Sequence, residues 1–404
     1  MGTISVELSK KIQFSKLSNK SLNLIYGIER SKTKYDVVGI SKFLRFIGNP
    51  QDNLKCIHIA GTNGKGSVCS MIANSLEMAG YNVGMYTSPH LMKVNERIQI
   101  NKKHILDEDL DRLHDFIMQA QERYRVELSF FETITVLAFF YFFEKKVDYV
   151  VLETGLGGRF DATNVATPLI SIITNIGDDH SEILGKTIEE RAREKAGIIK
   201  NNIPTVTCAK DDALKVIQDI CAKNDSRLIL AEKYQGQLNL KGRYQKENAG
   251  VAYTALKYLN ISEKHIIDGL RTAYWPGRFE FIRKNVLLDC AHNPDGMNVL
   301  MDSLKDIEYG RLIVIIGMMK DKNAEEMCKK IKDIANDVII TKVNIFKAQD
   351  PHILANYFDN CIITEDIGSA LKFAKRIRTE KDLILITGSI YLIGDVMDVF
   401  RKGI

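Results

Sequence analysis

CIHIAGTNGKGSVCSMIANSLEMAG, residues 56–80, decides the fold. Its first five residues are apolar or β-branched apart from one histidine, the pattern of a short buried strand. A glycine-rich loop follows from Gly61 to Ser67, and apolar residues then recur at helical spacing. Strand, glycine loop and helix in that order make one unit of an α/β sheet. Gly61, Gly64 and Gly66 let backbone N–H groups converge on one concavity, at which the positive end of the following helix also points. Lys65 adds a mobile cation, and Thr62, Asn63 and Ser67 complete the loop. The pattern departs from the Walker A loop: Ile59 stands at its first glycine, Gly66 follows the lysine, and Ser67 comes one residue late. Such a loop either cradles nucleotide phosphates or makes a tight strand-to-helix turn.

Outward from this unit the same alternation continues. Short apolar runs at 83–86, 149–153 and 171–175 predict further buried strands separated by helical segments, hence a mostly parallel sheet. The rhythm pauses at Tyr274, Trp275, Pro276 and Gly277 and resumes with runs at 286–289, 312–317, 338–341, 361–364 and 383–387. With 404 residues the chain exceeds the size of one hydrophobic core, so two domains are expected, 1–283 and a smaller Rossmann-like unit at 284–404. The Ser- and Lys-rich first residues predict a leading helix.

Composition narrows the function classes. Lys and Arg number 56 against 51 Asp and Glu, too mild an excess and too evenly spread for nucleic acid. The seven cysteines are scattered without CxxC spacing, as in a reduced cytoplasmic protein. The first residues contain no apolar signal core, and the longest apolar run, around Phe139, is cut by Glu132 and Glu144. A soluble cytoplasmic protein without membrane contact is expected.

The loop AGTNGKGS resembles the phosphate loop of the Mur ligase superfamily, particularly its folylpolyglutamate synthases. Further segments are similar to that family's signatures in the same order: IGNPQ at 47–51, YTSPHL at 86–91, NERIQIN at 95–101, VLETGLGGRFDATN at 151–164, ITNIGDDH at 173–180, LGKT at 184–187 and REKAGIIK at 193–200. KENAGVAYTAL at 246–256, YWPGRFE at 274–280, LLDCAHNP at 287–294 and TGSIYLIGD at 387–395 complete the series. Thr154 and Cys290 depart from it locally, and the stretch 26–43 matches only loosely.

The resemblance implies a P-loop ATPase domain with a Rossmann-like ligase domain behind it. It further implies an ATP-dependent ligase that adds L-glutamate to a reduced folate through an acyl phosphate, and that also makes dihydrofolate from dihydropteroate. A monofunctional dihydrofolate synthase is the near alternative; a peptidoglycan ligase or a non-catalytic nucleotide switch fits the motifs less well. The implied residues are Gly61 to Ser67, Asn248, Arg278, Asp289 and His292 for ATP, and Ser88, Glu153, His180 and a carbamylated Lys195 for two magnesium ions. Lys65, His180 and Lys195 are the implied catalytic groups. Asp36, Phe131, Arg159, Phe160, Asp161 and Ala162 are implied at the acyl acceptor, and Ser389 and Tyr391 at glutamate. The metal-site residues each have a duller reading: Ser88 as a turn cap, Glu153 as an edge charge, His180 as a partner for loop backbone, Lys195 as a solvated lysine paired with Glu190 or Glu194. A monomer is expected.

Overall fold

The computed structural model describes residues 36–402, so the predicted leading helix lies outside the described residues. Eight strands form the first sheet: β1 Cys56–Ala60, β2 Val83–Tyr86, β3 Ile98–Ile100, β4 Lys103–His104, β5 Tyr149–Glu153, β6 Pro168–Ile173, β7 Thr205–Thr207 and β8 Leu228–Leu230. Their order is β4-β3-β2-β5-β1-β6-β7-β8, and only β3 is reversed, running antiparallel to both β2 and β4. The second sheet contains β9 Glu280–Arg283, β10 Val286–Leu288, β11 Leu312–Ile316, β12 Asp337–Thr341, β13 Ile362–Thr364 and β14 Leu383–Thr387 in the order β13-β12-β11-β14-β10-β9. Only β9 runs antiparallel there.

β1 lies at the middle of the first sheet because its residues suit burial on both faces. Ile57 and Ile59 pack with Val68, Ile72 and Leu76 of the helix Lys65–Met78. Cys56 and Ala60 face the opposite layer. Ile57 and Ile59 are fully buried, and such a side chain contributes about 2 kcal/mol apiece. The helix Lys65–Met78 is itself clamped from outside, where Asn74 Nδ2 donates to Gly269 O at 2.6 Å and to Thr272 Oγ1 at 2.9 Å.

The strands expected from the apolar runs are present, most within a residue or two of their predicted ends. The differences are at the sheet margins. β3, β4, β7 and β8 are two or three residues long, too short for any periodicity to register. β9 pairs with β10, so the chain has already joined the second sheet at Glu280, before the expected start at residue 284. Its residues are only half-buried, which hid it. No helix among the described residues is long and apolar enough to cross a membrane. The carboxyl ends of β1, β2, β5 and β6 open toward the loops that follow β10, β11 and β14, where open α/β sheets bind their ligands.

Candidate active site

The loop after β1 is held in shape from the neighbouring strand. Thr62 N donates to Asn175 O at 2.8 Å, Asn63 N to Asn175 Oδ1 at 2.9 Å, and Thr174 Oγ1 to Asn63 O at 2.7 Å. Gly64 caps the helix at φ 85°, and a Cβ there would lie 2.2 Å from Asn248 Oδ1. Asn248 thus packs directly against the loop, steadied by Gln245, which also donates to Ser67 Oγ at 3.2 Å. Lys65 folds back so that Nζ donates to Gly61 O at 3.1 Å and Thr62 O at 3.3 Å, at the mouth of the concavity. Gly66 faces the Trp275 indole.

Glu153 ends β5 beside the loop, buried, and accepts from Ser88 N at 3.0 Å. Burial raises its pKa, against the charges of Lys65, Arg278 and Arg97 and the Ser88 hydrogen bond. Lys195 is also buried, not solvated, and donates to Gly61 O at 3.2 Å. Withdrawal of water, helped by the Lys65 charge, pushes its ammonium down to about 7. His180 adopts a left-handed conformation (φ 52°) ahead of the short helix Ser181–Leu184. Its Nε2 lies 3.2 Å from Lys322 Nζ and its Nδ1 3.9 Å from Asp321; burial lowers its pKa to about 4.

Three cavities meet here, and Pro89 lines all of them. One of about 370 Å³ holds Ser88, Glu153, Gly66 and Arg278. A second, about 590 Å³, is lined by Asp36, Phe131, Gly155, Phe160, Asp161 and Ala162, so the expected acceptor residues come together apart from Arg159. Arg159 lies outside, with its guanidinium 5.0 Å over the Phe160 ring. Gly155 admits Phe131 flush against the backbone, since a Cβ would lie 2.5 Å from the ring. The third cavity, about 810 Å³, runs between the two sheets and includes His180, His292, Lys320, Lys322, Ser389 and Tyr391.

The Mur ligase middle domain family matches residues 59–268, and the Mur ligase glutamate ligase domain family matches residues 277–390. The chain is 35% identical to the dihydrofolate synthase/folylpolyglutamate synthase of Bacillus subtilis, over 92% of this chain and 96% of that protein. This chain belongs to the folylpolyglutamate synthase/dihydrofolate synthase family. It is an ATP-dependent ligase of the Mur ligase fold. The folylpolyglutamate synthase of Thermotoga maritima superposes with a TM-score of 0.82 at 36% identity, covering 95% of this chain and 97% of that one. Escherichia coli FolC in complex with DHPP and ADP superposes at 0.89 with 26% identity, covering 95% and 98%. A bifunctional synthase with Mn, AMPPNP and L-glutamate bound superposes at 0.88 with 25% identity, covering 94% and 98%.

Within this synthase several motif residues serve protein groups. Asp289 receives N–H groups from Phe279 at 2.9 Å and Ala291 at 2.8 Å and the Tyr244 hydroxyl at 3.0 Å. His292 stands 3.4 Å from Asp179 and 2.8 Å from Cys290 O. Asp161 accepts from Gly155, Leu156 and Thr163 and so ties its own loop. Ser389 caps the last helix through Tyr391 N. Sequence reasoning missed Asp179, Asn293 and Lys322. Lys322 Nζ reaches Asp179 Oδ1 at 2.8 Å, Asn293 Nδ2 reaches Asp179 Oδ2 at 3.0 Å, and Asn293 exchanges amide bonds with Asn63. Desolvation pushes Asp179 upward, yet the His292 hydrogen bond and the His292 and Lys322 charges hold its carboxyl far below the carboxylate range. Asp179 and Asn293 lay inside quoted motifs, but Lys322 carried no signal in one sequence.

Proposed function

We propose that this synthase uses ATP to activate the terminal carboxylate of a tetrahydrofolate and joins L-glutamate to it, and that it makes dihydrofolate from dihydropteroate by the same chemistry. The observation that carries this reading is the meeting of three cavities at Pro89, beside the phosphate loop. A ligase with three substrates needs three adjoining sites whose reacting atoms can approach in line. E. coli FolC was solved with DHPP and ADP, which supports a folate-type acceptor and a nucleotide.

The acceptor would lie between Phe131 and Phe160 with its carboxylate toward Ser88. That carboxylate attacks the γ-phosphorus of ATP, forming an acyl phosphate and releasing ADP. The amine of glutamate, entering through the cleft lined by Ser389 and Tyr391, then displaces phosphate and forms the amide. Gly64 to Ser67, at the start of the helix Lys65–Met78, offer backbone N–H groups and Lys65 a cation to the phosphates, so most of the rate gain is positioning and fixed charge. Asn248 and Arg278 hold the nucleotide from the linker side, with Asp289 and His292 shaping the second domain's surface toward it.

Ser88 and Glu153 fit a hard divalent cation. Their donors are oxygens, they adjoin one cavity, and the Glu153 carboxylate is buried with its pKa raised. No cluster of three His, Cys, Asp or Glu forms among the described residues, so the proposed set draws on the Ser88 hydroxyl and a carbamylated Lys195 as well. His180 would complete the set. Magnesium there, two ions in this reading, would offset phosphoryl charge. The synthase works as a cytoplasmic monomer of two domains, with the second sheet starting at Glu280, closing over the nucleotide to exclude water.

Phosphate release from ATP with magnesium and L-glutamate should depend on the acceptor, with mass spectrometry showing one added glutamyl unit on both tetrahydrofolate and dihydropteroate. Gain on one acceptor only would make the enzyme monofunctional, and gain on neither would remove the folate reading.

A further inference from the structure

β1 carries two ionisable side chains, Cys56 and His58, both fully buried, and His58 is the one with a polar partner across the sheet. Its Nε2 lies 2.8 Å from Thr163 Oγ1, and that hydroxyl lies 2.5 Å from Asp161 Oδ1. Asp161 Oδ2 in turn receives the N–H groups of Gly155 and Leu156, each at 2.9 Å. The direction of this chain follows from proton counting. Burial raises the Asp161 pKa, but two donors on each oxygen oppose that and leave no lone pair facing an acceptor, so the geometry is that of a carboxylate. The Thr163 hydroxyl has one proton and gives it to Asp161, so it must accept from an N–H on His58 Nε2. Nδ1 is then bare, and it has no hydrogen-bond partner. Burial, with the Lys200 charge, pushes the imidazolium down to about 3, so the ring stays neutral. Packing alone would be served by an aliphatic side chain, with no nitrogen left without a partner. What the imidazole adds is a donor aimed at Thr163.

We propose that His58 is a positioning residue for the acceptor pocket, holding the Gly155 and Leu156 amides through Thr163 and Asp161 in register with the phosphate loop. The inference rests on the 590 Å³ cavity being the acceptor site. Both ends of the relay have a direct structural consequence. β1 runs from His58 straight into Gly61, and Gly155 is the backbone on which Phe131 rests. Leu156 lines both the acceptor cavity and the cleft between the sheets. A slip of this loop would therefore move the acceptor carboxylate and leave the nucleotide loop in place.

The test uses the full chain and measures kcat and separate KM values for acceptor and ATP. His58→Phe should raise the acceptor KM about tenfold or more while ATP KM stays within about twofold, as displacement of one reactant requires. His58→Gln retains a side-chain N–H and should recover most of the acceptor affinity. Thr163→Val should reproduce the His58→Phe effect, and the double variant should add little to either, because both cut one relay. Equal changes in both KM values, or none in the acceptor KM, would overturn the inference while the wild type still ligates glutamate. A wild type that ligates glutamate to no folate acceptor would sink the acceptor reading and the inference with it. Should His58→Phe fail to fold, long-range proton–nitrogen NMR of the wild type decides. An Nε2–H tautomer unchanged between about pH 6 and about pH 8 is required, whereas an Nδ1–H ring would overturn the relay.

Discussion

Removing water from a lysine favours its neutral amine, and at Lys195 this goes far enough to change its chemistry. Burial and the Lys65 charge bring the pKa to about 7, so the neutral amine predominates above that value. A neutral amine attacks carbon dioxide, and a protonated one does not. With 13C-labelled bicarbonate, wild-type enzyme should show a carbamate carbon signal by NMR that grows as pH rises through about 7, and Lys195→Arg should lack it. A signal of equal size in that variant would show the carbamate to be elsewhere. The lysine was legible in the sequence only through the REKAG motif, since its spacing alone suits a solvated helix face. Its burial comes from strands distant in sequence, as the bond to Gly61 O shows. His58 was less legible still, because a histidine in a strand has no local signature.

At the scale of the element, the glycine loop takes its shape because Gly64 starts the helix Lys65–Met78 in a left-handed conformation against Asn248. Gly64→Ala meets two obstacles at once. The left-handed conformation costs roughly 1–2 kcal/mol for a residue with a Cβ, and that carbon would displace the Asn248 amide. The variant should melt several degrees lower and show an ATP KM raised by about tenfold, with acceptor KM little changed. Calorimetry and steady-state kinetics check this, and an unchanged ATP KM would mean the loop tolerates a side chain there. The strand–loop–helix unit was plain in the sequence because glycine spacing and apolar periodicity are local. β3, β4, β7, β8 and β9 were not, since strands of two to four residues at sheet margins form through their partners rather than through a pattern of their own.

Across the whole molecule the two sheets are joined at Asp179, which the second domain grips from three sides through Lys322, His292 and Asn293. Lys322 and Asp179 are both largely shielded, with side chains 8% and 9% exposed. Breaking such a pair costs about 3 kcal/mol when the remaining charge has no other partner. The cost should be smaller here, because His292 and Asn293 remain. Lys322→Ala should loosen the domains, seen as a larger radius of gyration by small-angle scattering and a fall in kcat exceeding any change in ATP KM. An unchanged radius would mean the sheets are held elsewhere, for example by the Asp295 contact to Asp178 N at 2.7 Å. Sequence by itself determined the α/β class, the strand–glycine loop–helix unit and the family, because glycine spacing, apolar periodicity and ordered motifs are all written along the chain. Tertiary structure alone decided that Lys195 is buried against Gly61, that Asp161 and Asp289 hold their own loops, and that His58 and Lys322 take part. Burial and hydrogen-bond partnership are properties of residues brought together from far apart in the chain, and no single stretch of sequence contains both partners.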